Sequence, residues 1–194
     1  MMSSPFFTVI EGIDGSGKTT VIAKMKEFME SYNRKVKITA EPTKSAIGDL
    51  VASSDSLPPE AEALLFTADR ACHTKDIIQW MDDGFDVISD RYYASTLAYQ
   101  SASGMDYEWL YAVNSGVIRK PDVHILLDID PEVSLERVNK RGESVSRFEH
   151  LEYLKKVREV YLKTAERFDL TVIDASRPQN EVLDDIISLI KERM

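Results

Sequence analysis

The chain has 194 residues, of which 43% are hydrophobic, which is enough to bury the core of one domain. It carries 33 acidic and 24 basic residues, and this excess of negative charge argues against a general nucleic-acid binder, which normally presents a basic face. The single cysteine excludes an intrachain disulfide, and without a signal peptide or a run of ~20 apolar residues we expect a cytoplasmic protein with no membrane partner.

Short apolar runs alternate along the chain with helical patterns. Strands are predicted at residues 6–11, 36–40, 86–90, 123–129 and 170–174. Helices are predicted at residues 21–32, 60–82, 92–100, 151–168 and 181–193, with turn-rich or polar connections at 53–59 and 141–146. Because strands that alternate with helices form a parallel sheet covered on both faces, the pattern predicts one three-layer α/β/α domain over residues 1–194 with a five-stranded parallel sheet.

A phosphate-binding loop follows the first strand. Residues 11–20 read E-G-I-D-G-S-G-K-T-T and contain the pattern G-x-x-x-x-G-K-T, the P-loop. Gly12, Gly15 and Gly17 let the backbone turn tightly and bring its N–H groups near phosphate oxygens. Lys18 adds a charge for the β- and γ-phosphates, and the Thr19 hydroxyl can ligate Mg²⁺. A plain glycine turn is the alternative, but the strand before it and the helix after it favour nucleoside triphosphate binding.

A carboxylate and an arginine follow the third predicted strand. Asp90 closes this apolar run, and Arg91 comes next. In a P-loop protein, an acid at the end of a buried strand holds Mg²⁺ directly or through water. The adjacent planar guanidinium is suited to bidentate contact with a phosphate. The structural alternative is that Asp90 caps the helix that begins near Tyr92.

Two helices carry side chains suited to a second ligand. Phe66 and Arg70 are four residues apart and share a helix face, where a ring could stack on a base and a guanidinium could bond its edge. A core phenylalanine beside a surface Asp69–Arg70 pair is the alternative. The next helix carries four polar groups within two turns: Ser95, Thr96, Tyr99 and Gln100. Buried polar groups need partners, so a ligand is one explanation and a partly exposed helix is the other.

Four basic residues surround a polar segment with a glycine in the last third of the chain. They are Arg137, Lys140, Arg141 and Arg147. Phosphoryl transfer depends on positioning and charge neutralisation, so a mobile lid over about residues 137–148 that carries cations to the transferring group makes mechanistic sense. A solvated charged surface is the alternative.

Taken in order, these motifs resemble the thymidylate kinase family of P-loop nucleoside monophosphate kinases. The resemblance covers about residues 7–187 and rests on E-G-x-D-G-x-G-K-T-T at 11–20, E-P-T at 41–43, L-F-x-A-D-R at 65–70, D-R-Y-x-x-S-T-x-A-Y-Q at 90–100, K-P-D at 120–122 and R-F-E at 147–149. It implies a P-loop NTPase fold and a kinase that makes dTDP from dTMP with ATP and Mg²⁺ for dTTP synthesis. A homodimer is also implied by the resemblance.

The resemblance also implies a set of site residues. For ATP these are Gly12, Asp14, Gly15, Ser16, Gly17, Lys18, Thr19, Thr20 and, near adenine, Arg137. For dTMP they are Asp14, Phe66, Arg70, Arg91, Ser95, Thr96, Tyr99 and Gln100. The implied catalytic groups are Lys18, Asp14, Arg91, Arg141 and Arg147, and the implied Mg²⁺ ligands are Thr19 and Asp90.

Individual roles follow for the acceptor site. Phe66 is expected to stack on thymine while Arg70 bonds its edge, and Tyr99 is expected to crowd the 2′ position and select deoxyribose. Arg91 is expected to bind the acceptor phosphate, with Asp14 near that arginine and the sugar 3′-hydroxyl. The polar groups expected to help read the base are Ser95 or Thr96, and Gln100.

The chain departs from part of the family at one loop position. Some members carry an arginine directly after the P-loop acid, where this chain has Gly15. The chain is therefore similar to the subgroup that supplies its catalytic cation from the lid, which gives weight to Lys140, Arg141 and Arg147.

The sequence alone leaves two other functions open. One is a kinase for a different monophosphate or a nucleoside, against which Phe66, Arg70 and Tyr99 argue. The other is a nucleotide-switch ATPase that gates a partner. The polar helix at 92–100 and the basic segment favour a second small substrate instead.

Overall fold

A five-stranded, all-parallel sheet forms the centre of the protein. The computed structural model describes residues 4–53, 57–139 and 147–194. The strands in these residues are β1 (Phe7–Glu11), β2 (Val36–Ala40), β3 (Asp86–Asp90), β4 (Val123–Asp128) and β5 (Thr171–Asp174). They lie in the order β2-β3-β1-β4-β5, and each neighbouring pair is parallel. The predicted sheet is confirmed, with each strand boundary within one residue of its predicted position.

Helices connect the strands and cover the sheet. Within the described residues they are α1 (Lys18–Ser31), α2 (Ala46–Ser53), α3 (Pro59–Asp82), α4 (Tyr93–Ala102), α5 (Tyr107–Ser115), α6 (Pro131–Asn139), α7 (Arg147–Phe168) and α8 (Gln179–Lys191). The sequence pattern does not predict α2, α5 or α6, which have eight, nine and nine residues. Helices this short depend on tertiary packing more than on their own periodicity, so their sequence signal is weak.

Both faces of the sheet are buried, as a parallel sheet requires. On one face Ile10 belongs to a cluster with Met25 of α1 and Ile186 of α8. On the other face Phe7 and Val9 belong to a cluster with residues of α3, α4 and α5. Because side chains alternate along a strand, Glu11 shares the second face with Phe7 and Val9. The end of β1 therefore directs a buried carboxylate towards α4.

The strand order sets the position of the site. β1 lies between β3 and β4, and Ile10 of β1 is in register with Asp90 of β3. Because ligands of open α/β sheets bind beyond the carboxyl ends of the strands, the loop after β1 and the residues after β3 meet at one edge.

Candidate active site

The P-loop backbone has no room for side chains at two of its glycines. Gly12 has a φ of +144°, and a Cβ there would lie 2.7 Å from the Leu127 carbonyl oxygen. Gly15 has a φ of +81°, and a Cβ there would lie 2.7 Å from the carbonyl oxygen of Ser134 on α6. The Ser134 hydroxyl in turn donates to the Asp14 carbonyl. The loop is thus fixed against β4 and α6 by close backbone approach.

Lys18 folds back over this loop. Its Nζ donates to the carbonyl oxygens of Gly12 at 3.0 Å and Ile13 at 3.3 Å, and the residue is 7% exposed. Burial and, to a lesser extent, nearby Arg91 lower the pKa of Lys18 to about 8, against the opposing effect of Asp90. An arriving phosphate would supply the negative charge that restores full protonation.

A cavity lies beside the loop and contains an unpartnered carboxylate oxygen. It is lined by Lys18, Thr19, Thr20, Asp90 and Arg91, among others. Asp90 Oδ1 is buried and has no hydrogen-bond partner among the described residues, and burial raises the pKa of this carboxyl. A carboxylate and a hydroxyl are hard oxygen ligands of the kind Mg²⁺ binds, usually together with water and substrate phosphates. The donor set of Asp90 and Thr19 therefore fits Mg²⁺.

The alternative role of Asp90 as a helix cap is wrong. The N-terminus of α4 is instead capped by Glu11, which is fully buried. Glu11 Oε1 accepts hydrogen bonds from the backbone N–H groups of Tyr92 at 2.9 Å and Ser95 at 3.3 Å. A carboxylate at this position satisfies orphan donors of the first helical turn. Asp90 is thereby left available to the cavity.

Arg91 is held in a defined position at the end of β3. Its backbone adopts a left-handed conformation with a φ of +69°, which is uncommon for a residue with a side chain. Nη2 donates to Asp14 Oδ1 at 2.6 Å and to the Tyr99 hydroxyl at 3.3 Å. Nη1 donates to Ser95 Oγ at 3.2 Å and to the Tyr161 hydroxyl at 3.3 Å. The guanidinium is therefore oriented before any ligand arrives.

The charges around Arg91 keep it and its partner ionised. Burial acts to lower the pKa of Arg91, but Tyr161, Tyr99 and Asp14 together raise it well above its ordinary value. Burial acts to raise the pKa of Asp14, and the cations Arg91 and Lys18 outweigh that effect and lower it. Asp14 is 77% exposed in its side chain and lies 3.8 Å from Lys18 Nζ, so the carboxylate stands between two cations.

The predicted acceptor residues are brought together around a second cavity. Its empty volume is about 910 Å³. Its lining includes every residue that the resemblance implies for dTMP: Asp14, Phe66, Arg70, Arg91, Ser95, Thr96, Tyr99 and Gln100. Asp14, Glu41 and Arg91 line this cavity and the P-loop cavity alike. The two cavities therefore adjoin at these three charged side chains.

The structure contradicts one of the two non-ligand alternatives. Asp69 and Arg70 are each 1% exposed, so they do not form a surface pair. Asp69 instead accepts hydrogen bonds from the Thr43 backbone N–H at 2.7 Å and from Ser45 Oγ at 2.9 Å. On α4, Thr96 and Gln100 are buried while Ser95 and Tyr99 are partly exposed, so the alternative of a partly exposed helix stays open.

Arg137 lies on the far side of the P-loop. It lines a third cavity with Gly15, Ser16, Gly17, Thr20 and Arg177. Its Nη1 donates to the carbonyl oxygens of Gly15 at 3.3 Å and Ala175 at 3.1 Å. Gly12 does not appear in the lining of the cavities described above and serves the turn itself.

Part of the predicted lid lies outside the described residues. This applies to Lys140 and Arg141 and to the connection at 141–146. The backbone of α7 begins at Arg147, and α6 ends at Asn139. The roles of Arg141 and Arg147 stay predictions.

Several residues with clear structural roles were missed by sequence reasoning. Glu41 is buried and accepts from Arg70 Nε at 2.9 Å, and its other oxygen lies 2.9 Å from His73 Nδ1. The sequence placed Glu41 at the end of the second predicted strand and in the E-P-T motif, but no role was assigned to it. Asn114 and Tyr161 carried no signal, because each contacts its partner from a helix distant in sequence.

The chain was compared with known proteins. The thymidylate kinase family model matches residues 10–186. Proteins named probable thymidylate kinase from Archaeoglobus fulgidus and Pyrobaculum aerophilum are each 43% identical to it, over 94% and 95% of this chain and 93% and 96% of their own length. One of the same name from Pyrococcus horikoshii is 42% identical over 97% of both chains.

Among the residues that the structure describes, no helix is long and apolar enough to cross a membrane. The match over most of the chain agrees with the P-loop, the sheet order and the paired cavities. The chain belongs to the thymidylate kinase family.

Proposed function

We propose that this protein transfers the γ-phosphoryl group of ATP to dTMP, with Mg²⁺ as cofactor, and so forms dTDP for dTTP synthesis. Family membership supports the reaction. The observation that carries the assignment of its site is the junction of the two cavities, where Asp14, Glu41 and Arg91 face both. A donor and an acceptor bound in the two cavities would meet at this junction.

On the donor side the loop binds the triphosphate. Backbone N–H groups of the P-loop and the dipole of α1 favour the phosphates, and Lys18 adds a positive charge where negative charge develops in the transition state. Thr19 and Asp90 would hold Mg²⁺, which when bound neutralises phosphate charge. Arg137 contacts the opposite side of the loop and is proposed to lie near adenine.

On the acceptor side Arg91 binds the phosphate of dTMP. Its guanidinium is already fixed by Asp14, Ser95 and Tyr161, so little conformational entropy is lost when the phosphate arrives. No covalent intermediate is needed, because an acceptor phosphate oxygen can attack the γ-phosphorus in line. Positioning and charge neutralisation then supply the rate enhancement.

The rest of the acceptor cavity is proposed to select the nucleoside. Phe66 offers a ring for stacking, while Arg70, Thr96 and Gln100 offer polar groups to the base edge. Tyr99 lies beside Arg91, with the guanidinium 5.1 Å from its ring centroid, and is proposed to crowd a 2′-hydroxyl. Ser95 contributes through Arg91.

Three further expectations from the sequence remain proposals. Closure of a lid that carries Arg141 and Arg147 would bring cations to the transferring group and exclude water. A homodimer and a cytoplasmic location are also proposed.

The test is ADP formation from ATP and Mg²⁺ in the presence of one acceptor at a time. The acceptors are dTMP, dUMP, UMP, CMP, AMP, GMP and thymidine. We expect strong dependence on dTMP and little turnover without an acceptor. Preference for another acceptor would overturn the substrate assignment. ADP formation that does not depend on any acceptor would instead indicate a switch ATPase.

A further inference from the structure

The Arg70 guanidinium is enclosed by hydrogen-bond acceptors. Nε donates to Glu41 Oε2 at 2.9 Å, and Nη2 donates to Thr96 Oγ1 at 2.9 Å. Nη2 also lies 2.7 Å from Glu41 Oε2. Nη1 donates to Asn114 Oδ1. Arg70 is 1% exposed, so solvent does not replace a partner that is lost.

A count of N–H groups shows which donor is left for a ligand. A guanidinium has five, one on Nε and two on each terminal nitrogen. Nη2 donates to Thr96 Oγ1 and forms an ion pair with Glu41 Oε2. Nη1 has one partner among the described residues, Asn114 Oδ1. Because Arg70 lines the acceptor cavity and Nη1 has one N–H without a partner among the described residues, that N–H is a candidate donor to a base.

The orientation of Asn114 is itself fixed. The residue is fully buried, near the end of α5, and its Nδ2 donates to the Leu110 carbonyl oxygen at 2.8 Å. Its Oδ1 therefore faces Arg70, and it also accepts from Thr67 Oγ1 at 3.3 Å. A flipped amide would set an NH₂ group against the guanidinium and an oxygen against a carbonyl. Asn114 does not line the acceptor cavity and acts through Arg70.

We propose that Asn114 is a specificity-determining positioning residue for the base. Asn114 holds Nη1 of Arg70 so that the remaining N–H of Nη1 faces a carbonyl oxygen of the pyrimidine, which accepts a hydrogen bond. An amino group at the same position of the pyrimidine does not accept a hydrogen bond and is therefore disfavoured. The inference rests on the proposed function and deepens it. It predicts that selection of a 4-oxo over a 4-amino pyrimidine depends on a residue outside the cavity.

The experiment measures kcat and KM for dTMP, dCMP and ATP in the Asn114→Leu variant. Leucine has a similar size but accepts no hydrogen bond. We expect KM for dTMP to rise on the order of tenfold, KM for ATP to stay within about twofold, and the dTMP/dCMP ratio of kcat/KM to fall on the order of tenfold, as a lost buried hydrogen bond implies. Asn114→Asp keeps an oxygen towards Arg70 and should recover most of the selectivity.

Thr67→Val is the matched control, because it removes the other side-chain contact of Asn114 Oδ1 and leaves Arg70 untouched. It should leave the base selectivity unchanged. If the leucine variant does not fold, Asn114→Ser takes its place, since a serine hydroxyl can still reach the helix carbonyl four residues earlier but is too short to hold Arg70.

The outcomes separate this inference from the proposed function. A folded Asn114 variant with unchanged KM for dTMP and unchanged selectivity overturns the inference, as does an equal rise in the KM values of dTMP and ATP. A wild-type protein without dTMP-dependent ADP formation overturns the proposed function, and the inference with it.

Discussion

The P-loop cavity and the acceptor cavity are built by the chain in different ways. The first is formed largely by one continuous segment, residues 14–20, whose backbone provides N–H groups and which contributes Lys18 and Thr19. The second is lined by side chains from α3, α4 and α7 and the segments after β1, β2 and β3. Its polar groups are oriented by partners elsewhere in the chain, such as Glu41 and Asn114 for Arg70.

This difference predicts how the two sides respond to change. A donor site that relies on one lysine of its loop for positive charge should fail sharply when this lysine is lost. An acceptor site that rests on a buried side-chain network should lose affinity and selectivity in steps, because each member contributes through its neighbours.

Lys18→Met should remove most turnover and leave the fold intact. A buried charge aimed at the transferring group is lost, and we expect kcat to fall by at least ~10³-fold, as for other preorganised electrostatic groups. Acceptor-dependent ADP formation measures the turnover, and circular dichroism measures whether the fold is intact. Lys24→Met is the control, because Lys24 is on the same helix but pairs with Glu27 on the surface. Near-normal turnover in a folded Lys18→Met variant would contradict the proposed role of Lys18 in the donor site.

Arg91→Ala should raise KM for dTMP about 100-fold and KM for ATP less than about threefold, since a charged partner of the acceptor phosphate is lost. Steady-state kinetics with each substrate varied in turn gives both values. Arg167→Ala, which breaks an exposed pair with Glu108, should change neither. Equal effects on both substrates would contradict an acceptor role for Arg91.

Tyr99 tests selection of the sugar. Tyr99→Ala should reduce the preference for dTMP over its ribo-analogue by about 20-fold, within the range that removal of a steric group gives. Tyr99→Phe keeps the ring and loses the hydroxyl that contacts Arg91, so it should keep the preference while dTMP affinity falls. Unchanged selectivity in the alanine variant would show that Tyr99 does not exclude a 2′-hydroxyl.

The pH dependence of ATP binding gives the smallest effect. Lys18 in the ligand-free protein has a pKa of about 8, so it loses its charge as pH rises through that value. Affinity for ATP should fall about twofold from pH 7 to 8 and about tenfold from pH 7 to 9, with proton uptake on binding. Calorimetry in buffers of different ionisation enthalpy measures both, and Lys18→Met should abolish the uptake.

A rise in pH has the opposite effect on the stability of the ligand-free protein. The pKa of Lys18 is lower in the folded protein than its ordinary value of 10.5, so between about 8 and 10.5 the unfolded chain binds more protons. The free energy of unfolding of the ligand-free protein should therefore contain a term that rises with pH in this window.

The same contrast explains what the sequence could predict. The strands, the long helices and the P-loop depend on local periodicity and on a contiguous pattern, and each is found where expected. The eight acceptor residues were predicted from motifs that occur in a fixed order, and all eight line one cavity. The residues that orient these acceptor side chains were not predicted. Asn114 lies 44 residues from Arg70, and Tyr161 lies 70 residues from Arg91, so no local pattern links them.

The contact between Gly15 and α6 limits how such an enzyme could evolve. The space that a side chain at this position would need holds the Ser134 carbonyl oxygen, 2.7 Å from the place of a Cβ. A mutation of Gly15 to arginine would therefore strain the loop before its cation could serve the reaction. A side chain at position 15 is compatible with this fold only if the backbone of α6 near Ser134 moves away from the loop.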